Sequence, residues 1–230
     1  MTRYLDVKQG DEEWLDARTG IPTASEFHNL VTPLWKVKTG AAVETYLHKK
    51  IAERCMGRAP LDYSGGAMEQ GSVREGEALP WYKFAYKKGG VRRGFWITDD
   101  GSVGASPDGV FDDGTGIEIK CPAWHTHVGY RLAGGVPPQY LPQVQGGMYV
   151  TGLKRWVFLS YVAPIRRLRK DADEREGDDR FETKKMEQHV VEVERDPKAM
   201  DALAKALAAF NERLRAGYER MVDINGGEPR

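Results

Sequence analysis

The chain has 230 residues, 40% of them hydrophobic, enough to bury the core of one globular domain. Its 34 Lys and Arg residues balance 34 Asp and Glu, so no overall field attracts a polyanion, and any such surface must come from local clusters such as Lys87-Lys88, Arg92-Arg93 or Arg166-Arg167-Leu168-Arg169-Lys170. Two cysteines, Cys55 and Cys121, are too few and too far apart for a zinc or iron-sulfur site, and the lack of a signal peptide or long apolar run predicts a soluble, intracellular protein with no membrane partner.

In chain order, Thr23-Ala24-Ser25-Glu26 is the first element signal. It predicts a helix start, with a Thr or Ser cap and Glu26 at capping-box spacing from Thr23. A helix N-terminus exposes unpaired N–H groups that suit an anion, and Arg18, a turn earlier, adds a guanidinium able to grip a phosphate through two bonds. By itself the segment reads equally as a capped helix beside a surface arginine. Ala41 to Met56 carries Val43, Leu47, Ile51 and Cys55 at four-residue spacing and stops at Gly57, the pattern of an amphipathic helix. Gly71 to Tyr86 is helical sequence holding Glu75, with Pro80 inside it. Proline removes a helix N–H and crowds the carbonyl four residues back, so a kink or break is expected near Gly76. Met68 precedes Glu75 by about two helical turns. It is either a core side chain or an apolar wedge that parts terminal base pairs.

A strand at Val91 to Thr98 leads to Ser106-Pro107-Asp108-Gly109 and, ten residues after the aspartate, Glu118-Ile119-Lys120. Gly116 to Cys121 alternates apolar and charged residues, so Ile117 and Ile119 face the core while Glu118 and Lys120 point together to the other side. Phe111 to Gly116 is dense in turn formers, which doubles the chain back and lays Asp108 near Glu118. Two carboxylates and a lysine on one hairpin suit phosphodiester hydrolysis. Asp108, Glu118 and the Ile119 carbonyl would supply hard oxygen ligands for Mg²⁺, and Lys120 would deprotonate or orient the attacking water. The same residues could form an ordinary hairpin with a surface Glu/Lys pair. Helical sequence from Trp124 to Val150 and a strand at Arg155 to Val162 complete the order helix, three strands, helix, strand. His125 and His127 lack a third ligand and read as ordinary polar residues. A charged stretch, expected to be an exposed loop, separates that strand from another at His189 to Val193. A last helix starts at Asp196-Pro197 with Leu203, Leu207, Phe210 and Leu214 as its apolar stripe. No repeat or linker divides the chain, which predicts a single domain over 1–230.

This order resembles the core of the PD-(D/E)xK nuclease superfamily. Four further segments sharpen the resemblance to the lambda exonuclease or YqaJ-like viral recombinase family: Arg18-Thr19-Gly20-Ile21-Pro22-Thr23-Ala24-Ser25-Glu26, Gly71-Ser72-Val73-Arg74-Glu75, Ala105 to Gly109 with Glu118 to Pro122, and Gln143-Val144-Gln145. The fold so implied is α/β (α+β), a restriction-endonuclease-like core at roughly 67–163 with a mixed central sheet flanked by helices. The resemblance implies a Mg²⁺-dependent exonuclease, with Mn²⁺ able to substitute. It would digest one strand of linear double-stranded DNA from the 5′ end and leave a 3′ single strand for an annealing protein, in phage-type recombination in the bacterial cytoplasm. It also implies a homotrimeric ring.

Site roles follow the same resemblance. Asp108 and Glu118 become metal ligands, Lys120 the catalytic lysine, and Glu75 the acidic residue of the first core helix. Gln145, and after it Gln143, becomes the glutamine reaching the site, and Arg18 and Ser25 become the holders of the 5′-terminal phosphate. An endonuclease of the same fold and a non-catalytic DNA-end-binding module remain as alternatives. A glycosidase acid/base pair needs no adjacent lysine.

Overall fold

The computed structural model describes residues 2–58, 66–168, 181–224 and 226, with the backbone alone described at 66–75, 166–168 and 181–184. The chain forms β1 (Thr2–Leu5), α1 (Glu12–Arg18), a 3₁₀ segment (Ala24–Asn29), α2 (Ala41–Met56), α3 (Gly66–Ala85), β2 (Val91–Arg92), β3 (Phe95–Thr98) and β4 (Gly104–Ala105). It continues with β5 (Gly109–Phe111), β6 (Thr115–Lys120), α4 (Trp124–Ala133), a 3₁₀ turn (Pro138–Tyr140), α5 (Leu141–Thr151), β7 (Arg155–Ser160), β8 (Ile165–Leu168), β9 (Phe181–Lys184), β10 (His189–Glu194) and α6 (Pro197–Ile224).

Among the described residues, five strands make one mixed sheet in the order β10-β7-β6-β5-β2. The β6–β7 pair is parallel and the other neighbours are antiparallel. A parallel pair needs a long crossover, and α4 and α5 supply it. On one face Ile117 and Ile119 of β6 pack with Val157 and Leu159 of β7 under Ala78, Leu79 and Tyr82 of α3. On the other, Trp156 and Phe158 meet Val144 and Met148 of α5. The central strands are thus covered on both faces, the mixed sheet between helices that the sequence predicts. A third body of core joins α2 and α6. There Val43, Tyr46 and Leu47 pack against Leu203, Leu207, Phe210 and Leu214, the stripe expected for the last helix.

Several elements depart from the sequence reading. The expected single strand over Val91 to Thr98 divides at Arg93-Gly94, so β2 stays in the five-stranded sheet while β3 joins β1 and β4 in a second one. A Cβ on Gly94 would run into the Leu5 carbonyl oxygen and the Tyr4 ring, and only glycine allows this crossing of backbones. The helical stretch from Trp124 to Val150 is interrupted because Gly134 and Gly135 both take positive φ, at 66° and 65°, and Pro137-Pro138 follow. Conversely, α3 runs unbroken through Pro80. Gly76 and Pro80 are both exposed, so the carbonyl that loses its N–H partner is open to water. Part of the charged stretch pairs as an antiparallel hairpin of β8 and β9 rather than forming only loop.

His127 is fully buried, with Nδ1 2.8 Å from Ser160 Oγ and Nε2 3.0 Å from the Glu187 carbonyl oxygen. Burial lowers its pKa, and it serves as a satisfied core histidine joining α4 to β7 and to the segment before β10.

Two glycines test the packing. A Cβ at Gly116 would enter the buried Trp156 ring, so Gly116→Ala should lower the unfolding free energy by about 1–3 kcal/mol. A Cβ at the exposed, helical Gly76 meets nothing within 4 Å, so Gly76→Ala should raise it by about 0.5–1 kcal/mol. Urea denaturation of both variants measures the contrast, and equal effects would contradict the close fit around Trp156.

Candidate active site

Register places the acidic residues. Gly109 pairs with Ile117 and Val110 with Gly116, so continuing the antiparallel ladder by one step sets Asp108 against Glu118. Asp108 is 8% exposed and Glu118 4% exposed. Asp108 Oδ2 accepts a 2.6 Å bond from the Ile119 N–H. Within an extended strand a residue's N–H and C=O leave by the same edge, so the Ile119 carbonyl also faces the Asp108 side, while the Lys120 carbonyl accepts from Tyr161 N–H on the β7 side. The Ile119 side chain itself is buried in the core, as its place in the alternation requires.

Glu118 and Lys120 are two residues apart on β6 and share a face, with Lys120 Nζ 2.7 Å from Glu118 Oε1. The Gln143 amide donates to the same oxygen at 2.6 Å. Lys120 also lies 5.1 Å from the centre of the Tyr140 ring. Burial alone would lower the lysine's pKa, but the carboxylates of Glu118 and Asp108 outweigh it and hold the group above its ordinary value.

Asp108, Glu118, Lys120 and Gln143 form one part of the wall of a cavity of about 290 Å³, and Trp14, Arg18, Thr23, Ser25 and Ser106 form another. The Arg18 guanidinium stacks 4.3 Å from the centre of the Trp14 ring, one helical turn away on α1. Trp14 Nε1 donates to Ser106 Oγ at 2.9 Å, and Ser106 in turn donates to the Gly94 carbonyl oxygen at 3.2 Å. Arg18 and Ser25, named from sequence, are thus brought to the same cavity as Asp108, Glu118 and Lys120. Trp14, Ser106 and Tyr140 were not foreseen. The available signals were the four-residue spacing of Trp14 from Arg18 and the adjacency of Ser106 to the Pro107-Asp108 turn. A hollow of about 940 Å³ between α6 and the β3–β4 turn is larger, and it is lined by Arg54, Asp99, Asp100, Asn211, Glu212 and Arg215 among others.

The local structure around Ser25 corrects the sequence reading. Ala24–Asn29 is a six-residue 3₁₀ segment, and Thr23 makes no side-chain cap to its backbone. Thr23 instead forms a parallel bridge to Gly104, and its hydroxyl meets Glu26 Oε2 at 3.2 Å. Glu26 turns to Lys49 and Lys50 rather than back to a backbone N–H. No long helix therefore begins at Ser25, and the side chains of Arg18 and Ser25 line this wall.

The glutamines separate cleanly. Residues two apart on a helix lie on nearly opposite sides, so Gln143 and Gln145 cannot both reach one pocket. Gln143 faces the site. The buried Gln145 amide donates to the Glu194 carbonyl and accepts from Asp196 N–H, which ties α5 to the end of β10 and the start of α6. The order of preference expected from sequence, Gln145 before Gln143, is reversed by this geometry. The side chains of Glu75 and Met68 lie outside the described residues.

The donor set fits a hard divalent cation. Two buried carboxylates converge on one cavity with a backbone carbonyl edge between them, and no histidine or cysteine shares it. Among the described residues no cluster of three or more His, Cys, Asp or Glu forms, so the described protein ligands are oxygens from these two acids and the backbone.

Residues 13–154 match the YqaJ-like viral recombinase domain. The chain belongs to the YqaJ-like viral recombinase family. It is similar to the alkaline exonuclease LHK-Exo of Laribacter hongkongensis in two crystal structures, one a complex with dAMP. Each shows 28% identity and a TM-score of 0.73 over 94% of this chain and 98% of that one. A phage-related exonuclease of Haemophilus somnus 129PT shares the fold at 12% identity and a TM-score of 0.60, over 87% of this chain and 96% of that one. No curated protein sequence gives a significant match. The fold is the PD-(D/E)xK type expected from the order of elements. In this YqaJ-like chain the SPDG turn and the Glu-Ile-Lys strand stand side by side in the cavity just described.

The two glutamines should separate stability from site function. Gln145→Leu leaves the Glu194 carbonyl and the Asp196 N–H without partners and should cost about 2–4 kcal/mol. Gln143→Leu should stay within about 0.5 kcal/mol of wild type, because its partner Glu118 keeps Lys120. Denaturation curves of both decide the matter, and a stable Gln145→Leu would contradict the structural assignment.

Proposed function

We propose that this YqaJ-like protein is a Mg²⁺-dependent 5′ to 3′ exonuclease acting on the ends of linear double-stranded DNA. The observation that carries the reading is the single cavity uniting Asp108, Glu118 and Lys120 with Arg18 and Ser25. One wall has the groups for phosphodiester hydrolysis, and the other has the groups for a terminal phosphate. The complex of LHK-Exo with dAMP supports a deoxynucleotide substrate or product for this chain as well.

A divalent ion would be held by Asp108, Glu118 and the Ile119 carbonyl, and would supply Lewis-acid activation of the phosphodiester and of the attacking water. The chain's own residues do the rest. Lys120, fixed by Glu118 and Tyr140, presents N–H donors that orient the water and oppose negative charge gathering on the phosphoryl oxygens. Gln143 holds the Glu118 carboxylate from the helix side, so that its orientation does not depend on Lys120 alone. Arg18 is immobilised by stacking on Trp14, which reduces the entropy lost when its planar fork grips a phosphate. Ser25 stands on the same wall, and its hydroxyl, held to Thr23 only by a 3.3 Å contact, would turn to the same anion, while Ser106 keeps the Trp14 platform in place. Glu75 would complete the acidic set from α3, and Met68 would part the terminal base pairs.

Cleavage from a 5′ end leaves a 3′ single strand, the substrate of a single-strand annealing partner in phage-type recombination in the bacterial cytoplasm. A homotrimeric ring would keep the enzyme on its DNA through many turnovers, and Mn²⁺ would replace Mg²⁺ at an all-oxygen site.

Digestion of linear duplexes with 5′-phosphate or 5′-hydroxyl ends, beside closed circles, tests this. Wild type should degrade one strand of phosphorylated linear DNA with Mg²⁺ and not with EDTA. Lys120→Ala should lose at least about 100-fold in kcat, as expected for removal of a charge-stabilising donor. Arg18→Ala should reduce the preference for phosphorylated ends by about tenfold or more, the magnitude of one lost charge-assisted contact. Cleavage of closed circles would overturn the exonuclease reading in favour of an endonuclease, and cleavage that survives EDTA would overturn the metal.

A further inference from the structure

The segment from Gly20 to Glu26 forms the wall of the cavity that carries Thr23, Ala24 and Ser25, and it is held at both ends by charged side chains of α2. At one end the Gly20 N–H donates to Glu53 Oε2 at 3.0 Å, and Arg54 Nε donates to the Gly20 carbonyl oxygen at 2.8 Å. At the other, Glu26 takes Lys49 at 2.7 Å on Oε1 and Lys50 at 2.9 Å on Oε2. Lys50 also reaches Glu53 Oε2 at 3.0 Å, so one ammonium links the two anchor points. The side chains of Lys50 and Glu53 are 3% and 2% exposed, and that of Glu26 is 16% exposed.

Two acids and two lysines make a neutral, largely buried cluster. Such clusters contribute little net stability over well-packed apolar residues of the same volume, because desolvation offsets the attraction. What they do supply is direction. Apolar contacts tolerate sliding, whereas each of these bonds fails when its partner moves by an ångström.

The cluster also reaches the cavity through hydroxyl groups. Thr23 has one hydroxyl proton, and it is donated to Glu26 Oε2 at 3.2 Å. The Thr23 oxygen therefore acts as acceptor in its 3.3 Å contact with Ser25 Oγ. A continuous path runs from Lys50 through Glu26 and Thr23 to Ser25, which faces the cavity.

We propose that Glu26, Lys49, Lys50 and Glu53 are positioning residues for recognition of the DNA end, clamping the Gly20 to Glu26 segment so that Ser25 stands at a fixed distance from Asp108 and Lys120. The assignment rests on the end-recognition reading given above. It explains why a buried face of α2 carries charges where the rest of that helix buries Val43, Tyr46 and Leu47.

The test measures binding of duplex oligonucleotides with 5′-phosphate or 5′-hydroxyl ends by fluorescence anisotropy in EDTA, beside steady-state digestion with Mg²⁺. Wild type and Lys120→Ala should both prefer the phosphate. Glu26→Gln should cut the phosphate-over-hydroxyl binding ratio about tenfold, and should raise KM for phosphorylated ends more than it lowers kcat. Lys49→Met, at a partly exposed position, should shift the ratio in the same direction by a smaller factor and carries the test if Glu26→Gln does not fold, while Lys49→Arg should restore it. An unchanged ratio in folded Glu26→Gln or Lys49→Met, with only a lower melting temperature, would overturn the proposal and leave the exonuclease reading intact. Wild type that binds both ends alike would overturn the end-recognition reading and this proposal with it.

Discussion

A slip of one residue between β5 and β6 would turn Glu118 and Lys120 into the core under α3 and bring Ile117 and Ile119 out into the cavity. The site therefore depends on the register Gly109↔Ile117 and Val110↔Gly116 more than on any single contact. That register is over-determined. Ile117 and Ile119 are 0% and 1% exposed, and exposing two such side chains would cost about 1.5–3 kcal/mol each. The same slip would bury a carboxylate and an ammonium in an apolar layer, which is costlier still. Two glycines cooperate with the pattern. Gly116 leaves room for the Trp156 ring, and Gly109 lets Val91 and Ile117 close over the turn that presents Asp108.

The charge economy of the molecule follows from the same principle of local pairing. Acidic and basic residues are equal in number, and among the described residues the buried ones occupy two separate groups. One is Asp108 and Glu118 with Lys120 beside them, the other Glu26 and Glu53 with Lys49 and Lys50. In the second group Lys50 and its neighbour draw the Glu26 pKa down to about 2, against the opposing effect of burial. A carboxyl so depressed is ionised at every pH at which the fold is expected to work, so its bonds to the lysines and to Thr23 do not come and go with pH. Its stabilising contribution is complete above the ordinary carboxylate range and is lost only as pH falls toward 2.

Strand alternation and turn chemistry made the hairpin of Asp108, Glu118 and Lys120 legible in the sequence, because both are short-range and the face of each residue follows from its parity. The apolar stripe of α6 was legible for the same reason at the helical period. The crossing from β2 to β3 was not, since Val91 to Thr98 has no period break. Only the close passage of Leu5 and Tyr4 against Gly94, contacts about ninety residues away in sequence, gives that glycine its meaning. Gln143 and Gln145 show an intermediate case. That one of them must turn from the site follows from helical geometry, but which one depends on where α5 sits relative to β6 and β10. Thr23 and Glu26 carried a capping-box pattern, and tertiary partners overrode it, because Gly104 takes the Thr23 backbone and Lys49 and Lys50 take the Glu26 carboxylate.

The placement of the cavity has a topological cause. β4 ends at Ala105 in the three-stranded sheet and β5 begins at Gly109 in the five-stranded one, so Ser106, Pro107 and Asp108 are the bridge between two sheets. Ser106 is fixed to the first sheet's side by Trp14 and Gly94, while Asp108 is fixed to the second by Ile119. Proline between them has a single φ available, which limits how far one end can turn relative to the other. A loop with free dihedrals at this point would let the two sheets drift, and an ångström of drift between groups that act on one substrate is enough to lower a rate by orders of magnitude. The two sheets therefore need a short and stiff junction, and the Ser-Pro-Asp sequence supplies it while also contributing a hydroxyl to one wall and a carboxylate to the other.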